Sequence, residues 1–264
     1  MSKHKIYGSI IISILLFSSA CAISEEKYKV RWYNGLDLYF FVENEKPATE
    51  KLDIERQLKG RWSSPAVVYT HEEARQWYES WSKMETPEEP QGRIVSSCDE
   101  FMQARQAGLS PVAESKRNTY AKRGLLCIAG KLTLSAKDVN ISYLDDLRID
   151  KKIASHIPAK FGYFVNPKEI KDFGNKSWAD IEKMTSSSVK KNEEVKFESK
   201  YAIHFVEKIA SGDFDGDGVE DFLLDIVHGS KEGTHAIEFL LLVTRLKEGG
   251  AVKVIKSYSA FDEN

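Results

Sequence analysis

The stretch SGDFDGDGVEDFLLDI, residues 211–226, sets aspartates at 213, 215, 217 and 221 and glycines at 216 and 218, ahead of an apolar run. Counted from Asp213, the carboxylates fall at positions one, three, five and nine. Gly218 falls at six, where a calcium loop turns sharply. A hard cation such as Ca²⁺ takes roughly six to eight oxygens, and alternate residues of a tight loop aim several carboxylates inward. The carbonyl of Val219, at position seven, adds another oxygen. Without a cation, four carboxylates brought together lose water and repel one another. A plain turn between strands needs one or two Asp or Gly residues, not a spaced series. The reading is a cation site made by Asp213, Asp215, Asp217, Val219 and Asp221, with calcium as the cofactor.

A second set of residues could do chemistry. Asp225, His228 and His235 lie close along the following stretch, with His204 one strand away. Histidine with a carboxylate performs general acid–base work or holds zinc. No nucleophile elbow, HExxH, phosphate loop or paired-cysteine site accompanies them. The sequence therefore reads as a non-enzymatic protein with a binding or structural role. The alternative is a periplasmic hydrolase or metal-dependent enzyme using His228, His235 and Asp225.

What must position the aspartates is a sheet. From Val195 onward the apolar residues alternate: VKFESKYAIHFVEKIA gives one or two strands, then comes the loop, then VEDFLLDIVHG. THAIEFLLLVTRL and AVKVIKSY follow after the turns SKEG and KEGG, closing an antiparallel meander. FLLLV, Phe239 to Val243, is apolar on both faces and is the predicted central strand.

Upstream the period is helical. TEKLDIERQLKG forms a short helix stopped by Gly60. THEEARQWYESWSKM opens on a capping box, Thr70 with Glu73, and SSCDEFMQARQAG opens on Ser97 with Glu100. SPVAESKRNTYAKRGLLCIAGKLTLSA reads as a further helix in which Gly124 and Gly130 permit close packing. Short capped helices are predicted at SYLDDLRI, NPKEIKDF and SWADIEKM, and TSSSVKKNEE, residues 185–194, as a polar connector. Before all of these, YKVRWY-NG-LDLYFFV, residues 28–42, predicts a β-hairpin about an Asn34-Gly35 turn. The fold class is α+β. A hairpin and a mainly helical region occupy 21–190, and an antiparallel β region with the calcium loop occupies 191–264.

Residues 1–20 have the form of an export signal: basic MSKHK, apolar SIIISILLF, then small residues. FSSAC resembles a bacterial lipobox, which would make Cys21 a lipid-modified first residue. Cleavage after Ala22 competes with it. The expected location is the outer membrane, as a lipoprotein facing the periplasm, or the soluble periplasm. Either outcome leaves Cys98 and Cys127 as an even pair in an oxidising compartment, hence a disulfide. The formal charge of −2, from 38 basic and 40 acidic residues, supplies no field for nucleic acid. The only membrane contact expected is the lipid anchor, and the expected partner is an unidentified envelope protein or ligand.

The aspartate series resembles the FG-GAP or integrin-type repeat, whose DxDGDGxxD motif precedes an apolar strand. That resemblance implies calcium ligation by Asp213, Asp215, Asp217 and Asp221 through side chains and by Val219 through its carbonyl. An EF-hand would need a bidentate Glu where Leu224 stands. The motif occurs once, so no propeller is implied. The wider plan of a signal with cysteine, SCDEF, LLCIAGKL, GDFDGDGVEDFLL and LLVTR is similar to uncharacterised exported proteins of Gram-negative bacteria, a resemblance that implies architecture and location but no activity.

Overall fold

Alternation of apolar and polar residues builds the half of the chain that carries the aspartates. The computed structural model describes residues 29–32, 51–62, 64–82, 92–112, 114–163, 173–190, 194–233 and 236–259. Its strands are β1 Arg31–Trp32, β2 Ala66–Val68, β3 Arg93–Val95, β4 Ser186–Lys190 and β5 Glu194–Glu198. They continue with β6 Ala202–Gly212, β7 Asp221–Ser230, β8 Ala236–Thr244 and β9 Lys253–Ser259. Strands β4 to β9 pair antiparallel in chain order. β1 lies beside the end of β6, where Arg31 faces Ser211, past the stretch that β5 occupies. β2 and β3 pair separately.

The apolar run of β8 is explained by cover on both sides. Phe239, Leu241 and Val243 pack with Phe222, Leu224, Ile226 and Val206 on one face. Leu240 and Leu242 pack with Leu223, Ile209 and Ala210 on the other. A bulge between Lys208 and Ala210 supplies Ile209 as an extra residue on that second face.

The helices are α1 Lys51–Lys59, α2 His71–Ser82, α3 Cys98–Gln106, α4 Glu114–Ser135 and α5 Trp178–Ile181. Thr70 and Glu73 form the expected box: both the amide and hydroxyl of Thr70 donate to Glu73, and the Glu73 amide donates back to Thr70 Oγ1. At α3 the Ser97 hydroxyl accepts from the Glu100 amide, but the Glu100 carboxylate reaches one residue further back, to Ser96.

Helix α4 works on two sides at once. Tyr120, Leu126 and Cys127 join α1, α3, β2 and β3 in one core. Leu125, Ile128 and Ala129 lie on the sheet. The glycines allow this closeness: a Cβ at Gly124 would stand 2.0 Å from Cζ of Phe101, and one at Gly130 would stand 2.9 Å from Leu58. The Cys98–Cys127 disulfide, with Cα atoms 5.4 Å apart, ties α3 to α4 as expected. Among the described residues no helix is long and apolar enough to cross a membrane.

The opposite face of the sheet is covered by residues 141–163 and 173–181, which bury Leu144, Leu147, Ile149, Ile153, Ile157 and Trp178. Here the sequence reading needs correction. SYLDDLRI is not a helix but turns and extended chain. Its start is pinned by backbone bonds from Ile141 to Gly218 and Glu220, and Arg245 Nη1 donates to the Tyr143 carbonyl and to Asp146. SWADIEKM does form α5, though only four residues long, with Ser177 donating to Asp180. The supposed connector contains β4, so the run of consecutive strands begins at Ser186 rather than 191. Residues 186–189 are exposed on both faces, so this edge strand has no alternation to read. The predicted hairpin, apart from residues 29–32, the export signal with Cys21, and all of NPKEIKDF but Phe173 lie outside the described residues.

Candidate metal centre

The loop starts where β6 ends and returns as β7, a turn made by two glycines in the left-handed region, Gly216 at φ 89° and Gly218 at φ 82°. The aspartates first organise their own backbone. Asp213 accepts from the Gly216 amide at 2.6 Å and the Gly218 amide at 3.0 Å. Asp215 accepts from the Asp217 amide at 3.1 Å, and Asp217 from the Val219 amide at 2.8 Å. Asp221, at the mouth of β7, accepts from the Phe214 amide at 2.9 Å. One carboxylate oxygen each from Asp213, Asp215 and Asp221 lies within 4.8 Å of the others. Three of the four predicted carboxylates thus converge, and Asp217 stands outside that group.

Burial is uneven among them. Asp213 and Asp221 are buried and Asp215 is exposed. Oδ1 of Asp221 is sealed from solvent with no hydrogen-bond partner. Burial, together with the charges of Asp215 and Asp217, pushes its carboxyl up to about 7, against the Phe214 amide and the neighbouring Thr244 hydroxyl, whose Oγ1 is sealed and makes no hydrogen bond of full geometry. A sealed, unpartnered carboxylate oxygen beside two more carboxylates is the arrangement that a divalent cation relieves.

The loop is held from outside by the chain leaving α4. Lys137 and Asp213 exchange two backbone bonds, of 2.9 and 3.0 Å. The amides of Asn140 and Ile141 both donate to the Gly218 carbonyl, and the Glu220 amide donates to Ile141. Ser142 Oγ donates to Glu220 at 2.5 Å. Asn140 sits so close that a Cβ at Gly218 would stand 2.6 Å from its Nδ2. Nothing in the composition of residues 137–142 marks them as the loop's support.

The histidine set falls apart differently. His235 lies outside the described residues. Asp225 and His228 are three apart on β7 and so point to opposite faces of the sheet. Asp225 is turned to the α4 side, where burial and then the carboxylates of Glu238 and Glu207 hold its carboxyl well above the usual range. His228 faces His204 across β6 and β7, both rings fully buried, with Nδ1 to Nδ1 at 2.8 Å. His228 Nε2 donates to the Phe161 carbonyl at 2.8 Å. His204 Nε2 lies 3.1 Å from Glu182 Oε1 and 3.3 Å from Ser199 Oγ. The Trp178 indole donates to the other Glu182 oxygen at 2.7 Å. Glu182, Trp178 and Phe161 had no signal in the sequence linking them to the histidines, because they come from the layer above the sheet.

No family model matches this chain, and neither a curated protein nor a solved structure does.

Proposed function

We propose that residues 213–221 bind one calcium ion, and that the chain is an exported, non-enzymatic envelope protein whose ion stiffens the sheet presenting its binding surface. The observation that carries this reading is the sealed, unpartnered Oδ1 of Asp221 beside Asp213 and Asp215. Asp217 and the Val219 carbonyl complete the shell in the manner of the FG-GAP loop. Calcium fits better than magnesium because it takes an irregular set of roughly six to eight oxygens, whereas magnesium demands a near-octahedral shell and sheds its water reluctantly.

The Cys98–Cys127 bridge supports an oxidising compartment. Export by residues 1–20 follows, with anchoring through Cys21 or release after Ala22. Pairing of Arg31–Trp32 with β6 supports the N-terminal hairpin. The partner is an envelope protein or ligand. The histidines lend no support to catalysis, since the described pair is sealed from solvent and Asp225 faces away from it.

The deciding experiment is a thermal melt in millimolar calcium and in chelator. A ligand bound only by the folded state at a hundred times its Kd adds about 2.7 kcal/mol, roughly 5–10 °C for a chain of this size. Magnesium should give less, and Asp215→Ala should remove the increment. A wild-type melt indifferent to calcium would reduce the motif to a turn. The mass of the mature N-terminus separates lipid-modified Cys21 from a chain beginning at Ile23.

A further inference from the structure

The polar chain Phe161–His228–His204–Glu182–Trp178 crosses an otherwise apolar core, and its protons can be counted. The Phe161 carbonyl can only accept, so His228 Nε2 carries a proton. The two Nδ1 atoms at 2.8 Å share one more. At the far end His204 Nε2 faces Glu182 Oε1 at 3.1 Å and two lone pairs cannot meet there; with Glu182 kept ionised by its hydrogen bonds, the third proton belongs to the nitrogen. Four ring nitrogens hold three protons. The pair carries one positive charge, and Glu182 balances it. A fourth proton has no place to go, because each Nδ1 would then carry N–H towards the other.

We propose that His204 and His228 form an acid-released latch: with three protons the pair ties residues 159–163 and 173–182 to the sheet, and a fourth proton frees that layer. The inference is independent of the calcium loop, which lies at the other end of β7.

Neighbouring groups agree with this placement. Burial and then the charge on His204 push His228 down to about 4, while the Phe161 carbonyl and Glu182 pull the other way. Burial pushes Glu182 up, but hydrogen bonds from His204, Ser199 and Trp178 outweigh it and bring the carboxyl to about 2. Among the described residues the other groups packed on the pair are Tyr163, whose ring edges both imidazoles, and the apolar Phe239 of β8. Trp178, itself against Phe197 of β5, covers both rings. Lys160 sits over the Phe161 ring. His156, in the same layer, is also held below its ordinary value, by burial and then by Arg245, against the charges of Asp146 and Asp150.

The sign follows from His228. Its folded value lies below the unfolded one, so the unfolded chain takes the extra proton first. Stability is present above pH 6.5 and is lost as pH falls to about 4. Across that window the unfolding constant rises by about 300-fold on this group alone. Glu182 adds a further loss between 4.5 and about 2.

The test is made on the whole chain with calcium present throughout. Nitrogen-15 shifts of the imidazoles at pH 7 should show one bare Nδ1 in the pair and protons on both Nε2 atoms. Amide exchange on acidification towards pH 4 should then rise in residues 173–182 before it rises in α3 and α4. His228→Gln should flatten the loss of stability between pH 6.5 and 4 relative to wild type, a difference from which His156 and Asp221 cancel. Two bare nitrogens at pH 7, or simultaneous loss of protection in the layer and α4, overturns the latch without recourse to the variant. So does an unchanged profile in a folded His228→Gln protein.

Discussion

Asp221 and His228 stand seven residues apart on β7, both buried, and they solve the same problem in opposite ways. Every ring nitrogen around His228 finds a partner inside the chain. Asp221 keeps one oxygen that the chain does not serve. A closed polar network needs no ligand and holds two layers together; an open one needs something from outside. The contrast separates a structural network from a candidate binding site within one strand, and burial alone would not have done so.

The largest effect should come from opening the closed network. Glu182→Ala leaves the charge on the histidine pair buried without its counterion, and removing one partner of such a pair costs about 3–5 kcal/mol. Chemical denaturation with and without calcium should show this loss unchanged by the ion. A loss below about 1 kcal/mol would mean that the pair is neutral.

The same operation at Asp221 should have the reverse sign in chelator. Asp221→Asn removes a sealed negative charge while keeping its shape, so the metal-free protein should gain about 1–2 kcal/mol. In calcium it should lose most of the roughly 2.7 kcal/mol increment. Calorimetry with calcium alone would register the lost site, and equal destabilisation in both buffers would sink the comparison. The smallest effect belongs to Asp225→Asn. Asp225 also has a sealed oxygen, but no described trio of ligand atoms gathers round it. Its raised carboxyl makes the amide a close mimic. Calcium dependence should be retained, with stability changed by less than about 1 kcal/mol.

These outcomes also weigh what the sequence could disclose. The aspartate spacing, the cysteine pair and the doubly apolar FLLLV were readable because each depends on residues near one another in the chain or on cover that imposes a pattern. Ser186–Lys190 was not, since its residues 186–189 are wet on both faces and repeat nothing. The pairing of His204 with His228 rests on strand register, and Glu182 reaches them from another layer. Leu144 and Leu147 are three apart, which mimics a helix, yet Ile141 is already committed to the loop's backbone. Local pattern shows what a residue prefers, and the long-range partner decides where it goes.

The two backbone bonds between Lys137 and Asp213 join residues 76 positions apart in the chain. Closing so long a loop is slow, and local helices and hairpins form sooner. The aspartates would therefore gain their outer support only after most of the sheet exists. An ion that favours this late arrangement should act on the escape from the native state: calcium should slow unfolding and leave the refolding rate nearly unchanged. Stopped-flow traces in which calcium instead speeds refolding would place loop closure before the barrier. The ion would then govern how long the fold lasts rather than how fast it is reached.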